Sequence, residues 1–427
     1  MKLELQNVVI KKIDFGKKTE IKDDQLYINR DEMIAELMAI DQVKAIQIVL
    51  ARPGEKKRLI PVKDVIEPRL RIGRGNQFPG VTGEIEQLGQ GSTKKMQNVA
   101  VVTVGDIVGF QEGIIDMWGE GAKWTPFSQT LNVVVNIEPE EGLEPHEHEK
   151  ACRLVGLKAS EYLGAALEGI SPNSSESFEI EDVKTSLEKY PNLPRVAYVE
   201  MLIAQGLLHD GYIYGVDAKQ ILPTLLNPLE ELDGAVISGN CVAACDKITT
   251  YQHQNNSVIL ELLKRHGKDL VFVSSILVPE LTILDGKFRT ADYTVKLCQL
   301  LGLDGVIVSE EGYGNPDSDL VMIAEGLENS GIKTVLITDE CSGWDGDSQP
   351  LADAKEEAKA VISTGNVSHL IHLEAAEEVL GDAKAIANLS GGWEGSLDEA
   401  GNISCELNAV IGATSEIGYH NLTVELH

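Results

Sequence analysis

One short run near the middle of the chain combines residue types that can act on their own backbone: Ile237-Ser238-Gly239-Asn240-Cys241-Val242-Ala243-Ala244-Cys245-Asp246. Gly239 supplies backbone freedom and Asn240 tolerates left-handed conformations, so a tight turn can bring the Cys241 thiolate to the carbonyl carbon of Asn240. Attack there shifts the acyl group from nitrogen to sulfur, and the thioester then hydrolyses or eliminates. Elimination leaves a carbonyl group on a new chain N-terminus, where it can capture an amine as a Schiff base and accept electrons.

The two cysteines of this run also have simpler interpretations. Cys241 and Cys245 are spaced like one helical turn, which suits two small apolar residues in a core. A redox or metal site is a third interpretation, although a CxxC spacing would indicate it more strongly. Cys245 competes as the processing residue, but Ala244 before it gives less reason for a scissile bond. His253 follows closely and is a candidate base for the processing thiol.

Acidic loops follow two of the strands predicted in the last third of the chain. Glu310 and Glu311 follow one strand, and Asp339 and Cys341 follow the next. In an open parallel sheet, ligands bind beyond the carboxyl ends of the strands. Paired carboxylates there can hold an ammonium group or exchange a proton with a substrate amine. We therefore expect Glu310, Glu311 and Cys341 to be catalytic and Asp339 to bind substrate. The alternative for the acids is helix capping.

The densest basic spot in the chain contains Arg69, Arg71 and Arg74 beside glycines. Guanidinium groups can clamp a carboxylate bidentately, so these residues are predicted to bind the carboxylate of an amino-acid substrate. The alternative is pairing with the surplus of acids. No metal site is predicted, because His146 and His148 would point to different faces of a helix.

Composition excludes several classes of function. The 427 residues include 37 basic and 67 acidic residues, for a net charge of −30, which disfavours nucleic acid and anionic membranes as partners. No long apolar run indicates a transmembrane helix, and the N-terminus lacks the apolar region of a signal peptide. Six dispersed cysteines are typical of a reduced protein, so we expect a cytoplasmic location.

The last third of the chain alternates strands and helices, which predicts a parallel sheet with right-handed crossovers. The fold class is therefore α/β: a C-terminal, Rossmann-like doubly wound parallel sheet (residues 241–427) with an N-terminal mixed α+β domain (residues 1–240). The elements of this sheet are predicted as strands at 270–274, 305–309, 333–338 and 368–373 and helices at 290–301, 318–330 and 351–363. Earlier in the chain we expect helices at 30–40, 146–167 and 218–231 and a buried strand at 196–203.

The run ISGNCVAACDK resembles the processing segment of the component B alpha/beta precursors of glycine, sarcosine and betaine reductases. The resemblance extends over essentially the whole chain, through MKLELQNVVIKKIDFG, GRGNQFPG and DGVIVSEEGYGNPDSDL. It implies cleavage between Asn240 and Cys241, with Cys241 converted to a pyruvoyl-type cofactor that binds the substrate amine for reductive deamination in an anaerobe. It also implies a hetero-oligomer with a selenocysteine-containing subunit of component B and with selenoprotein A.

Chemistry narrows the substrate only slightly. Glycine and sarcosine carry an N–H and can form iminium adducts, whereas betaine is a quaternary ammonium and cannot, so glycine is the expected substrate. Two other classes of protein remain open. Cleavage without elimination would give an N-terminal cysteine-nucleophile hydrolase. An uncut chain would be an α/β scaffold subunit with both cysteines in its core.

Overall fold

The computed structural model describes residues 1–73, 75–204, 211–239 and 243–417. Short apolar runs form its strands, which in chain order are β1 (Lys2–Val9), β2 (Lys12–Phe15), β3 (Glu20–Lys22), β4 (Gln25–Ile28), β5 (Val43–Ala51), β6 (Lys57–Ile66), β7 (Arg69–Arg71), β8 (Gly91–Gln97), β9 (Val99–Gly105), β10 (Gly113–Asp116), β11 (Leu131–Pro139), β12 (Ser174–Glu179), β13 (Arg195–Ile203), β14 (Tyr212–Ile213), β15 (Val216–Asp217), β16 (Thr224–Leu226), β17 (Val236–Ile237), β18 (Val271–Glu280), β19 (Gly305–Ser309), β20 (Lys333–Glu340), β21 (Val361–Asn366), β22 (Leu370–Leu373), β23 (Glu378–Gly381) and β24 (Ile403–Glu406).

Helices are fewer. They are α1 (Arg30–Leu37), α2 (Pro145–Ala165), α3 (Val183–Lys189), α4 (Pro228–Leu232), α5 (Thr250–Gln254), α6 (Ser257–Arg265), α7 (Leu284–Leu300) and α8 (Asn315–Asn329). Short 3-10 turns occur at Gly121–Lys123, Pro126–Gln129, Ala218–Gln220, Ala383–Asn388 and Leu407–Ala409. None of the helices in the described ranges is both long and apolar enough to cross a membrane.

The N-terminal half is built around a sheet in the order β10-β6-β9-β11-β5. Strand β9 is a valine-rich run whose seven residues are all buried, as expected of a central strand. Helix α2 lies directly on this half, and glycine permits the close approach. A Cβ atom at Gly164 would stand 2.0 Å from the Arg69 carbonyl oxygen, and one at Gly156 would stand 2.5 Å from the Thr103 methyl carbon.

The sheet that carries the acidic loops has the order β16-β18-β13-β19-β20-β21. Its last five strands are mutually parallel, and β16 is an antiparallel edge. Residues of α7 and α8 share a hydrophobic core with one face of the sheet, and residues of α6 pack against the other. The order of the parallel strands along the chain reverses between β13 and β19, which is where open α/β sheets bind ligands.

Several predicted elements match the structure, and three do not. The predicted helix at 351–363 is wrong. Residues 351–360, which favour helix locally, form turns and irregular backbone, and β21 begins at Val361 and pairs with β20. The strand predicted at 368–373 appears as β22, but it pairs antiparallel with β24 outside the parallel sheet. The helix predicted at 218–231 is replaced by a 3-10 turn, the edge strand β16 and the short α4, consistent with its two prolines.

The regions before and after the Asn240–Cys241 bond share sheets. Strand β13 comes from the first region but lies between β18 and β19 of the second. In the other direction, β23 of the second region pairs with β6 of the first. The remaining sheets have the orders β12-β1-β8-β7, β15-β14-β17, β2-β4-β3 and β22-β24. The fold is therefore a mixed α/β structure whose two regions interleave.

Candidate active site

The processing run is held on both sides. Asn240 and Cys241 lie outside the described residues, but Ser238 before them and Cys245 after them are buried and hydrogen-bonded. Before them, the backbone N–H of Ser238 donates to the Thr250 hydroxyl (3.0 Å). After them, the backbone N–H of Cys245 donates to the Asn408 carbonyl (3.2 Å), and its carbonyl accepts from the Thr414 N–H (3.0 Å).

A buried lysine that the sequence analysis did not single out contacts this run. The Nζ atom of Lys247 donates to the carbonyl oxygen of Gly239 at 2.5 Å, one residue before Asn240. Burial lowers the pKa of Lys247, and the carboxylates of Asp64 and Glu311 oppose that shift. The Nζ atom of Lys247 is therefore a buried donor aimed at the backbone beside the predicted scissile bond.

The structure brings three predicted acids together at the carboxyl edge of the parallel sheet. Glu310 and Glu311 follow β19, and Asp339 lies near the end of β20. Other chain segments add acids that were not predicted. We call the whole set the carboxylate cluster; its members are Asp246, Glu280, Glu310, Glu311, Asp339 and Glu416, all buried.

Glu311 ties the processing run to the sheet. One of its carboxylate oxygens accepts the N–H of Ile248 and the other accepts the N–H of Ile203, both at 3.1 Å. Its own N–H donates to Glu280 (3.0 Å). Burial raises the pKa of Glu311 to about 7, against the lowering effect of the nearby His253. A carboxyl with this pKa is suited to proton exchange near neutral pH.

The other cluster acids favour their protonated forms more strongly. Burial raises the pKa of Glu310 well above its usual range, and the charge of Asp317 adds to the shift. Burial and the charge of Asp246 do the same for Asp339. The Thr338 hydroxyl donates to Glu310.

Cys245 is a poor candidate for the processing nucleophile. Its thiol is buried and donates to Asp246 at 2.8 Å. Burial and the adjacent carboxylates of Asp246 and Asp339 raise the pKa of Cys245 well above its ordinary value. Since the thiolate is the nucleophilic form, this environment disfavours attack by Cys245. The competing assignment of the cut to Cys245 is therefore weakened.

His253 lies in a second buried group, with Glu200 and Glu231. Its Nδ1 atom is 3.1 Å from Glu200 and 3.8 Å from Glu231. Although burial opposes it, these carboxylates raise the pKa of His253 to about 10. His253 is therefore protonated at neutral pH, and a cationic imidazole cannot accept the proton of a processing thiol. This argues against the predicted role of His253 as a base.

The predicted arginine clamp is already paired within the protein. Arg69 is buried, and its guanidinium donates to Glu67 (2.7 Å), to the carbonyl of Gln254 (2.8 Å) and to that of Leu232. Arg71 contacts Glu86 (3.4 Å) and Asp233 (3.6 Å). Arg74 lies outside the described residues. For Arg69 and Arg71 the structure thus favours the alternative, pairing with the surplus of acids.

Cys341 lies at the protein surface, apart from the buried acids. Its side chain is exposed, and its sulfur lies 3.7 Å from the Ser368 hydroxyl. Nearby, the exposed Trp344 donates to Glu406 (2.6 Å), and its ring centroid is 6.0 Å from that of Trp393. Cys341 therefore lies on a surface loop rather than inside the carboxylate cluster.

A small pocket lies beside the residues that precede the predicted cut. Ser238 and Gly239 form part of its wall, together with two basic side chains, Lys63 and Arg153. Lys63 pairs with Glu112 (3.0 Å), and Arg153 pairs with Glu149 (2.8 Å) and lies over the ring of Tyr212. The other lining residues are Asp64, Ile66, Thr103, Glu149 and Cys152.

Some functional candidates were missed because their partners are remote in sequence. Asp246 ends the processing run and Lys247 follows it directly, so their position was a usable signal. Glu280 ends an apolar strand, and a charged residue at that point is another usable signal. Glu416 and Thr414 join the cluster only through the folded chain, so no local pattern indicates them.

Comparison with known proteins assigns the family. The family model of "Glycine/sarcosine/betaine reductase component B subunits" matches residues 1–425. The chain is 50% identical over 426 residues to "Glycine reductase complex component B subunits alpha and beta" of Peptoclostridium acidaminophilum, covering 100% of both chains. It is 48% identical over 428 residues to "Sarcosine reductase complex component B subunit alpha" of the same organism, again covering 100% of both.

A more distant relative is "D-proline reductase proprotein PrdA" of Acetoanaerobium sticklandii, 21% identical over 356 residues, which are 78% of this chain and 54% of that protein. No solved structure matches the chain. Full-length coverage and identities near one half define the class: this chain belongs to the family of glycine/sarcosine/betaine reductase component B subunits, which are components of reductase complexes.

Proposed function

We propose that this chain is a precursor that cuts itself between Asn240 and Cys241 and carries the resulting carbonyl as its cofactor. The observation that carries the proposal is the contact between Lys247 and Gly239, which fixes the backbone immediately before the cut against a buried ammonium group. The relative named as a D-proline reductase proprotein supports processing in this wider group.

The cut is balanced without an external oxidant. Attack by the Cys241 thiolate on the Asn240 carbonyl carbon breaks the peptide C–N bond and forms a thioester. Loss of the Cys241 α-proton then breaks the Cβ–S bond, so that sulfur leaves with the first chain as a thiocarboxylate. The dehydroalanine left on the second chain tautomerises, takes up water and releases ammonia, which gives a pyruvoyl group.

We propose reductive deamination of glycine as the reaction, with sarcosine or betaine as the alternative substrate. A pyruvoyl group at residue 241 would capture the substrate amine and supply an electron sink for C–N cleavage, with the selenolate of the partner selenoprotein taking the substrate carbon as the nitrogen leaves. Within this proposal, Glu310 and Glu311 exchange protons with the substrate nitrogen, and Asp339 lies beside them.

The proposal includes partners and a location. Relatives named as subunits of a complex support a hetero-oligomer, which we assign to a selenocysteine-containing subunit of component B and to selenoprotein A. The described cysteines are free thiols, which suits a reducing cytoplasm. We also assign the six-stranded sheet to a doubly wound unit whose site lies at its switch point.

Intact mass of the protein from its anaerobic host tests the proposal. Cleavage predicts fragments of about 26 and about 20 kDa, dividing the 46.4 kDa chain at residue 240. The smaller fragment should lack the sulfur and amine nitrogen of Cys241 and should gain a reduced glycine adduct after borohydride treatment. Cys241→Ala should abolish the cut, whereas Cys298→Ser, which alters a buried thiol in α7, should not.

Three outcomes would contradict the proposal or redirect it. A smaller fragment that keeps its sulfur and amine would favour the hydrolase. One unmodified species of 46.4 kDa would favour the uncut scaffold. Trapping by borohydride with sarcosine but not with glycine would keep the mechanism and change the substrate.

A further inference from the structure

The carboxylate cluster holds more acid than its hydrogen bonds satisfy. Asp246, Asp339 and Glu310 are each 0% exposed, and Glu416 is 2% exposed. Each of the first three has one carboxylate oxygen without a hydrogen-bond partner in the described part of the chain. Without a cation these buried acids favour their protonated forms, and a bound metal ion is the other way to hold several carboxylates in one buried group. The ion pairs seen between described residues do not include any of these four acids.

Three side chains of this region converge like metal ligands. The Cys245 sulfur and one carboxylate oxygen each of Asp246 and Asp339 all lie within 4.8 Å of one another. The Thr414 hydroxyl bonds to Asp246 (3.0 Å) and Asp339 (2.7 Å), which orients both carboxylates. Such outer-shell hydrogen bonds are typical of metal sites.

A fourth group supplies an independent observation. Glu416 is buried, and neither of its carboxylate oxygens has a hydrogen-bond partner among the residues that the structure describes. After burial itself, the charge of Asp246 is the largest cause of the raised pKa of Glu416. A buried carboxylate with both oxygens unpartnered in the described residues adds to the acid gathered around Asp246 and supports a cation there.

The second buried group of this kind also has unpartnered carboxylate oxygens, on Glu200 and Glu231, but it contains a histidine. There, His253 sits between Glu200 and Glu231 and brings its own positive charge. Near the first group, Lys247 donates to the Gly239 carbonyl and lies near Asp64 and Glu311. The difference between the two groups singles out the one that contains Cys245.

We propose that Cys245, Asp246 and Asp339 bind one Zn²⁺ ion. One thiolate and two carboxylates are three protein ligands that fit zinc with water in the fourth position, and the sulfur disfavours magnesium and calcium. Binding would deprotonate the Cys245 thiol. The ion would then fix the segment just after the proposed cut to β20. Its ligands do not include Cys241, although Asp339 lies beside the proposed catalytic acids.

Metal content of the full-length protein tests the site. The protein is stripped with a chelator, reconstituted with Zn²⁺, dialysed and measured by plasma mass spectrometry, with one equivalent expected. Substitution by Co²⁺ should give a near-ultraviolet sulfur-to-cobalt charge-transfer band. Cys245→Ser should remove this band, and Asp339→Asn should weaken zinc binding at least tenfold. Cys298→Ser is the matched control for a buried thiol, and Glu231→Gln is the control for the second group.

Measurements on unaltered side chains keep the proposal testable if a variant fails to fold. In the wild type, Zn²⁺ should slow alkylation of Cys245 and raise the unfolding temperature, and Mg²⁺ should do neither. All measurements are repeated with Cys241→Ala, so that failure of the cut does not affect the result. Zinc that stays bound in Cys245→Ser, zinc binding that Glu231→Gln weakens instead, or no zinc after reconstitution would each overturn the proposal.

Discussion

Replacing Lys247 by methionine should slow the proposed cut. Replacing a comparable buried lysine elsewhere in the chain should not. The ammonium group lies 2.5 Å from the Gly239 carbonyl oxygen, and methionine keeps most of the side-chain length without the charge. A hydrogen bond to a charged group contributes about 1.5–3 kcal/mol. If that contact holds the backbone for attack on Asn240, its loss should slow cleavage by about 10- to 150-fold.

Stability changes must be separated from this effect. Removing one partner of a buried ion pair costs about 3–5 kcal/mol, and Asp64 and Glu311 would lose the cation near them. Lys287 provides a matched control, because it is also buried and paired with a carboxylate, that of Asp319, and it donates to the carbonyl of Asn315 rather than to that of Gly239. Lys287→Met should lower stability and leave the rate of cleavage close to that of the wild type.

The assay is the rate at which the two fragments appear after synthesis, followed on denaturing gels, with folding checked by circular dichroism and gel filtration. Lys247→Arg should recover part of the lost rate, because it keeps a cation near Gly239. Two results would refute the reasoning: a folded Lys247→Met variant that cuts at the wild-type rate, or a Lys287→Met variant that slows equally.

Three further predictions follow from buried charges and shared strands. Although burial opposes it, Lys63 lowers the pKa of Glu112 from 4.5 to about 2. Ionised Glu112 should therefore add about 3 kcal/mol to the free energy of unfolding above pH 4.5, and this stabilisation should be lost as the pH falls to 2. Acid unfolding of Glu112→Gln should lack this part of the transition. Arg58 binds the carboxylate of Asp116 through two hydrogen bonds of 2.7 and 2.8 Å. Arg58→Met should therefore lower the urea midpoint of unfolding by an amount equivalent to about 3–5 kcal/mol of stability. An unchanged midpoint would show that the pair contributes little. After the proposed cut, both fragments should co-elute in native gel filtration and separate only in denaturant, because β13 of the first fragment lies between β18 and β19 of the second. Separation in native buffer would contradict the shared sheet.

Sequence patterns predicted those elements whose local preferences agree with their surroundings. Strands β19 and β20 and helix α2 match their predicted positions closely, because apolar periodicity and caps act over a few residues. The helix predicted at 351–363 was wrong. Its alanine, lysine and glutamate residues favour helix locally, but Val361 and Ile362 pair through their backbone with the edge of β20 instead. That competition depends on contacts remote in sequence.

The same contrast between local patterns and contacts remote in sequence explains which residues of the candidate site were predicted. The rule that ligands bind at the carboxyl ends of parallel strands placed Glu310, Glu311 and Asp339 correctly at one edge, although their catalytic roles stay predictions. It did not place Asp246 and Glu416 there, because neither follows a strand of that sheet. The predicted clamp failed for Arg69 because a buried guanidinium needs partners, and Glu67 lies two residues away.

Interleaving of the two regions places the proposed cut after folding. The groups around the run come from distant parts of the chain: Glu311 follows β19 and accepts the N–H of Ile203 at the end of β13, and Asn408 accepts the N–H of Cys245. In the unfolded chain these groups are far apart, and Lys247 has no buried carboxylates to hold it beside Gly239. A cut made before folding would also require β13 to find its place between β18 and β19 as a separate chain, at the entropic cost of association. Self-cleavage that depends on the folded geometry avoids that cost, and it explains why the reactive run needs little beyond Gly239, Asn240 and Cys241 in its own sequence.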